Sequence, residues 1–112
     1  MKKQSLDELL EEIGRTSLLS HEEELALLKV VQEKGTDCDE MKQLEEANMR
    51  FVVSVASQYQ KRGLTLEELI EVGTEGLRKG AMKYNFDADF RFIAYAVWWI
   101  RQSILQAIGE KE

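Results

Sequence analysis

Thr65-Leu66-Glu67-Glu68-Leu69-Ile70-Glu71-Val72-Gly73-Thr74-Glu75-Gly76-Leu77-Arg78-Lys79-Gly80-Ala81 is the stretch that decides the fold. Thr65 with Glu68 is a capping box, the hydroxyl and the carboxylate each serving the other residue's backbone N–H. Leu66, Leu69, Ile70, Leu77 and Ala81 then recur at helical spacing, which predicts a helix running to about Tyr84. Gly73, Gly76 and Gly80 lie inside it, and each costs roughly 1 kcal/mol against alanine. The plainest reason to tolerate that cost is another helix packed too closely for a Cβ. The stretch therefore predicts helix on helix.

The same punctuation recurs on either side. Ser20 with Glu23 is a second capping box, followed by Leu25, Leu28 and Val31 and stopped by Gly35. Ser5 with Glu8 is another, followed by Leu6, Leu9, Leu10 and Ile13 and stopped by Gly14. Between Gly35 and Thr65 a long helix is predicted from about Asp39 to Arg62. Its apolar face is Leu44, Ala47, Phe51, Val52, Val55 and Tyr59. Downstream, Asn85 to Asp89 reads as a loop and a last helix runs from about Phe90 to Ile108. Proline is absent and strand alternation is weak. The expectation is an all-α fold, a compact helical domain of about five helices. The 112 residues suit one structural domain, made of an N-terminal helix pair (1–36) and a helical core (37–112).

Composition narrows the function. No apolar run approaches the ~20 residues that span a bilayer, and the basic start Met1-Lys2-Lys3-Gln4 leads into Leu6-Asp7-Glu8 rather than a signal-peptide core. A cytoplasmic protein without membrane partners is expected. The single Cys38 cannot form an internal disulfide or a CxxC knuckle and reads as an ordinary loop or helix-edge residue. His21, the lone histidine, reads as a solvated residue in a first helical turn. No Cys/His metal set and no phosphate-cradling glycine loop is present, so neither an enzyme nor a cofactor is expected. The acidic groups Glu22-Glu23-Glu24 and Asp37 to Glu40 read as solvated helix faces and ends. The net charge of −6 argues mildly against indiscriminate nucleic-acid binding. That acid is confined to one half: residues 1–60 hold seven Lys/Arg and thirteen Asp/Glu, whereas residues 61–112 hold eight of each.

Phe90-Arg91-Phe92-Ile93-Ala94-Tyr95-Ala96-Val97-Trp98-Trp99-Ile100-Arg101-Gln102-Ser103-Ile104 contains five of the nine aromatic residues. Phe92, Ala96, Trp99 or Ile100, and Ser103 recur on one helical face and suit a core. Arg91, Tyr95, Trp98 and Gln102 recur on a neighbouring face. The plain alternative for such rings is core packing. Yet rings interleaved with a guanidinium and an amide suit splayed nucleobases: a ring stacks on any base, Arg takes phosphate, and Gln can read a base edge.

A family resemblance rests on these residues. Tyr95 to Ile104 is similar to the signature Y-A-x-W-W-I-R-Q-[AS]-I of primary and related bacterial sigma factors, agreeing at every specified position. Glu46-Ala47-Asn48-Met49-Arg50-Phe51-Val52-Val53-Ser54-Val55-Ala56 resembles the family's E-A-N-L-R-[FL]-V-[IV]-S-[IV]-A. Arg62-Gly63-Leu64 and Leu69 to Leu77 resemble R-G-L and D-L-I-[QN]-E-G-N-x-G-L. Leu6 to Glu24 resembles the helix pair that precedes the main domain. The resemblance covers nearly the whole chain, in order, as regions 1.2 to 2.4. In that family the chain continues beyond region 2, with which Glu112 is in register, into a basic segment and a helix-turn-helix domain.

The resemblance implies a module that binds RNA polymerase and recognises and melts the promoter −10 element by capturing non-template single-stranded DNA. It implies that the helix around Glu68, Leu69, Ile70, Glu71 and Gly73 docks on the clamp coiled coil of the largest polymerase subunit. Trp98 and Trp99 would wedge at the upstream fork, and Tyr95 would stack on the flipped base, with Phe90 and Arg91 nearby. Arg101 would hold phosphate, Gln102 would contact the first base pair of the element, and Asn48 would help line a second base pocket. An anti-sigma regulator is a further candidate partner.

Two departures from the pattern favour an alternative, a sigma-like protein-interaction module that binds polymerase or a sigma regulator but is poor at DNA. Asp87 and Asp89 stand in a loop that is usually basic, and Ser57 and Gln58 replace two lysines. A third departure, Val72 in place of a glutamate of the docking helix, bears on polymerase affinity instead.

Overall fold

The computed structural model describes residues 19–111. Within them lie four helices and no strand: α1 (His21–Lys34), α2 (Asp39–Ser57), α3 (Leu66–Lys83) and α4 (Phe92–Lys111). The all-α expectation is met. The helix expected from Leu6 to Ile13 lies outside the described residues.

The capping boxes set two of the starts. The Ser20 hydroxyl accepts from the Glu23 N–H at 3.1 Å and the Glu23 carboxylate accepts from the Ser20 N–H at 3.4 Å. At α3, Thr65 and Glu68 make the same exchange at 3.1 and 3.0 Å. Gly35 ends α1 with φ +90°, a conformation that costs glycine little, and its N–H donates to the Val31 carbonyl at 2.7 Å. Cys38 precedes α2, half-buried, its Sγ 3.3 Å from the Gly35 carbonyl oxygen.

α2 stops about a turn earlier than its apolar spacing predicts. The N–H groups of Gln58 and Tyr59 donate to Val55 and Ala56 at 3.1 and 3.0 Å, three residues back, which tightens the helix end. Lys61 then takes φ +68° and Gly63 follows at φ +107°. Left-handed residues cannot propagate the helix, so the segment through Leu64 becomes a turn that carries Lys61 and Arg62 on the outside.

The glycines of α3 are the floor on which α4 lies. A Cβ at Gly76 would fall 2.6 Å from the Trp99 carbonyl oxygen and 2.8 Å from the Ile100 Cα, closer than real atoms approach. Gly73 faces Val52 and Ile100, and Gly80 faces the edge of the Trp99 indole, at 3.1 to 3.3 Å. The three glycines thus bring the α4 backbone against α3. Leu28 and Val31 of α1, Leu44, Phe51, Val52 and Val55 of α2, Leu69 and Leu77 of α3, and Phe92, Ile100 and Ile104 of α4 close one buried core. Gln32 ties α1 to the end of α3, its side-chain amide donating to the Ala81 and Tyr84 carbonyls at 3.0 and 2.9 Å. Ala81 lies in the last turn of α3 and Tyr84 caps it, positions whose carbonyls lack a partner within the helix. An ion pair between Arg78 and Glu45 joins α3 to α2.

Candidate nucleic-acid interface

Tyr84, just past α3, organises the aromatic end of the molecule. It is 4 % exposed, and its hydroxyl donates to the Phe90 carbonyl at 2.7 Å. Phe86, Phe90 and Phe92 meet its ring edge-to-face at centroid distances of 5.5, 6.2 and 5.8 Å. Such T-shaped pairs are the favoured ring geometry. Burial and the nearby Glu24 carboxylate raise the Tyr84 phenol above its ordinary value, against the opposing pull of Arg91, so it stays protonated and remains a donor. The segment between α3 and α4 is therefore pinned from inside at Phe90.

The outward rings follow from that pin. Phe90, 45 % exposed, lies nearly parallel to Tyr95 at 5.8 Å. Tyr95 meets Trp99 at 6.3 Å, and Trp99 meets Trp98 at 5.1 Å, both edge-to-face. Trp98 is 54 % exposed, the most open of the large apolar residues described. Helical spacing left Trp99 or Ile100 for the inward position. Ile100 is fully buried and Trp99 half-buried, lying over Gly80. The result is a ring surface running from Phe90 through Tyr95 and Trp99 to Trp98, half open to solvent and supported by the core.

Cations border it. Lys83 Nζ lies 5.9 Å from the Trp99 ring centroid. Arg101 is exposed, and its Nε donates to the Tyr59 hydroxyl at 3.1 Å. The Arg62 guanidinium lies 6.0 Å from the Tyr59 ring centroid, so Tyr59 joins two arginines at the corner where the turn after α2 meets α4. Gln102 is exposed beside Arg101. Arg91, also exposed, lies at the other end next to Phe90, with Nη2 3.9 Å from Glu24 Oε1. Asp87 and Asp89 are exposed in the loop between α3 and α4, where the Asn85 side chain accepts from the Asp87 N–H at 2.9 Å.

Phe90, Tyr95, Trp98 and Trp99 thus come together over the first turns of α4, with Arg91 next to Phe90. Gln102 is exposed one turn beyond Trp98, and Arg101 stands apart, turned away from Trp99 towards Tyr59. Asn48 does not join them at the surface: it is 6 % exposed, and its Nδ2 donates to the Leu44 carbonyl of its own helix at 2.7 Å. On α3, Ile70 is half-buried and Glu71 exposed, with Thr74, Glu75 and Arg78 bordering a shallow depression beside them. Glu68 is engaged in its capping box. Leu69 and Gly73 face inward and support that surface from beneath. Val72 points towards α4, in a groove shared with Ser103 and Gln106, rather than outward beside Glu71.

Two features escaped the sequence. Lys83 is simply the basic end of an amphipathic helix until Gly80 lets the Trp99 ring settle beside it. Glu24 was expected among solvated carboxylates, yet it is 3 % exposed, while Glu22 and Glu23 are open. The signal was present: Glu24, Leu28 and Val31 are spaced by four and three residues, which puts all three on the inward face.

A glycine-fused helix pair with an open aromatic and cationic side belongs to a recognisable class of helical domain. Residues 44–112 match the family described as sigma-70 region 2, and the chain belongs to that family. It is 44% identical over 102 residues to the RNA polymerase sigma factor SigA of Listeria monocytogenes, covering 91% of this chain and 27% of that protein. The SigA of Clostridium acetobutylicum is 45% identical over 102 residues, covering 91% of this chain and 26% of that protein. The chain therefore spans about a quarter of the length of these curated relatives.

Proposed function

We propose that this chain is the non-enzymatic, promoter-opening part of a sigma-type initiation factor, acting in the cytoplasm with RNA polymerase. Its α4 side captures the non-template single strand of the −10 element. The observation that carries this is the half-open ring surface, Phe90–Tyr95–Trp99–Trp98, bordered by Arg91, Lys83 and Arg101. An unstacked base needs a ring to replace the stacking it loses, and a strand needs cations along its backbone. Tyr95 serves as the platform, Phe90 extends it, and Trp98 with Trp99 fills the place vacated in the duplex. Arg101 and Lys83 take phosphates, and Gln102 reads a base edge. Asn48, inside α2, backs a second base pocket by fixing the helix around it. On the other side of the molecule Ile70, Glu71 and their neighbours dock on the clamp coiled coil of the largest polymerase subunit. The N-terminal residues to about 36 act with the core as one unit.

The alternative, an interaction module that occupies polymerase or an anti-sigma regulator and binds DNA poorly, is favoured by one observation. Asp87 and Asp89 are both exposed beside the ring surface, where they repel phosphate. Titrating a labelled −10 single strand at low and at moderate salt decides between the two. The initiation reading expects sequence-preferring binding at low salt by the chain itself, and tighter, more salt-dependent binding by D87R/D89R, since each new phosphate contact releases about 0.7 of a counterion. Absence of binding by both proteins rejects it and leaves the interaction module.

A further inference from the structure

Glu24 is a buried carboxylate with little to hold it. Its Oε1 has no hydrogen-bond partner. At 3.9 Å the contact with Arg91 Nη2 is an ion pair too long to be a hydrogen bond. The two ends of that pair differ in environment: the Glu24 side chain is 5 % exposed and that of Arg91 43 %. Arg91 can therefore turn into solvent at little cost, whereas Glu24 cannot follow it.

The pair does not position the loop. Phe90 is already fixed by the Tyr84 hydroxyl, by the Tyr84 ring and by its stack on Tyr95. What the carboxylate changes is the charge that Arg91 presents. Arg91 stands beside Phe90 at the open ring surface, close in sequence to the exposed Asp87 and Asp89, and the buried carboxylate offsets its charge.

We propose that Glu24 sets the affinity of the α4 surface for single-stranded DNA: its carboxylate and a strand phosphate compete for the Arg91 guanidinium. The inference rests on the single-strand reading above. When Arg91 turns to a phosphate, Glu24 loses its counterion while remaining buried, and it takes up a proton from solvent to become a neutral carboxylic acid. Strand capture is therefore coupled to proton uptake and is tighter at lower pH. The groups acting on Glu24 are Arg91 at the start of α4 and His21 one turn back on α1, and the Tyr84 hydroxyl at the end of α3 is near enough for Glu24 to shift it. Burial raises the Glu24 carboxyl above its ordinary value, with Arg91 and then His21 opposing, so losing Arg91 to a phosphate favours the protonated form further.

The test is anisotropy of a labelled −10 single strand with the whole chain, from about pH 5.5 to about pH 7.5, in an H21Q background so that histidine does not contribute. Near neutral pH, E24Q is expected to bind about three- to fivefold tighter than its parent, the upper range for one partly exposed ion pair. Its pH profile should be flatter and its salt dependence steeper. E24D, which keeps the charge, should retain a pH profile. In an R91A background E24Q should gain nothing, the signature of coupling through Arg91. Unchanged or weaker binding by E24Q overturns the proposal, as does an equal gain without Arg91. If E24Q does not fold, a flat profile in the parent overturns it alone. Strand binding with a flat profile rejects the competition only, whereas no strand binding by any variant at any pH rejects the nucleic-acid reading and this inference with it.

Discussion

The outer sides of α3 and α4 are opposites built on one shared seam. Outside α3 stand Glu71 and Glu75, with Glu68 folded into its own capping box. Outside α4 stand rings and arginines, each ring held by another and Arg101 held by Tyr59. Between them is the glycine seam, where the two backbones touch. A carboxylate surface needs only water and a helix to display it. A ring surface half open to solvent needs a floor, and Tyr84 and Gly80 supply one. The two sides therefore differ in what they demand from the core, and that difference can be broken in stages.

The largest effect is expected at the seam itself. At Gly76 the obstacles are the Trp99 carbonyl and the Ile100 Cα. These are backbone atoms and cannot swing aside. G76V should destabilise the domain by about 3 kcal/mol or more, the upper range for overpacking, and should weaken both sides together. A thermal melt followed at the helical band checks this. A variant that melts like the parent would mean that the helices are not fused here.

Next come substitutions that should separate the sides. Y95A should lose roughly 1–3 kcal/mol of single-strand affinity, the value of one base–ring stack, and leave capture by the polymerase clamp fragment intact. E71K should do the reverse, cutting clamp retention by about tenfold or more through like-charge or lost-charge contact. Glu71 is preferable to Glu68 for this purpose, because E68K would also open the capping box. If either substitution moves both readouts equally while the melt is unchanged, the surfaces are not separate.

The third prediction concerns stability and carries its own sign. Burial raises the folded-state carboxyl of Glu24 above the ordinary value near 4.5 that the unfolded chain retains. The folded state then binds that proton more tightly, so the stability the protonated group contributes is fully present below the unfolded value. It is lost as pH rises through the folded value. Glutamine cannot ionise. E24Q should therefore match the parent in acid and exceed it at neutral pH by on the order of 1 kcal/mol, the cost of one orphaned buried acceptor. Melting temperatures at both pH values give the difference. A parent that is more stable than E24Q at neutral pH would show that the Arg91 pair outweighs desolvation.

Much of this contrast was legible in the chain. The capping boxes at Ser20 and Thr65 placed two helix starts, and the three glycines announced the seam before any contact was known. Spacing alone set Tyr95, Trp98 and Gln102 apart from Phe92 and Ala96. What it could not give were features that depend on how one element lies on another. The link between the turn after α2 and α4, where Arg101 donates to the Tyr59 hydroxyl, joins residues far apart in sequence. The role of Tyr84 depends on Phe86, Phe90, Phe92 and Tyr95 converging from both sides of a loop. The burial of Glu24 was written in its spacing from Leu28, but the acidic run around it masked the signal. Asn48 sits in a segment that resembles the family closely, and its burial follows from packing that no motif expresses, whereas the burial of Leu69 follows from its place in the apolar stripe.

The smallest effect sharpens the comparison between the two kinds of carboxylate around Arg91. Asp87 and Asp89 are exposed, so water and salt screen them. Glu24 is not. D87N/D89N removes two charges and should still tighten single-strand binding only about twofold at low salt, because each acts through solvent. That gain should vanish once the Debye length falls to about 3 Å, near 1 M salt. Asparagine also preserves the turn, in which the Asp87 backbone N–H, not its side chain, is bound by Asn85. The buried carboxylate predicts otherwise: the advantage of E24Q should decline with salt more slowly than that of D87N/D89N, since Glu24 is buried and the two aspartates are exposed. Anisotropy titrations of the three proteins across salt compare the decays directly. If the Asp variants keep their gain where E24Q loses its own, then the exposed loop, not the buried Glu24, governs how the aromatic side meets a phosphate backbone.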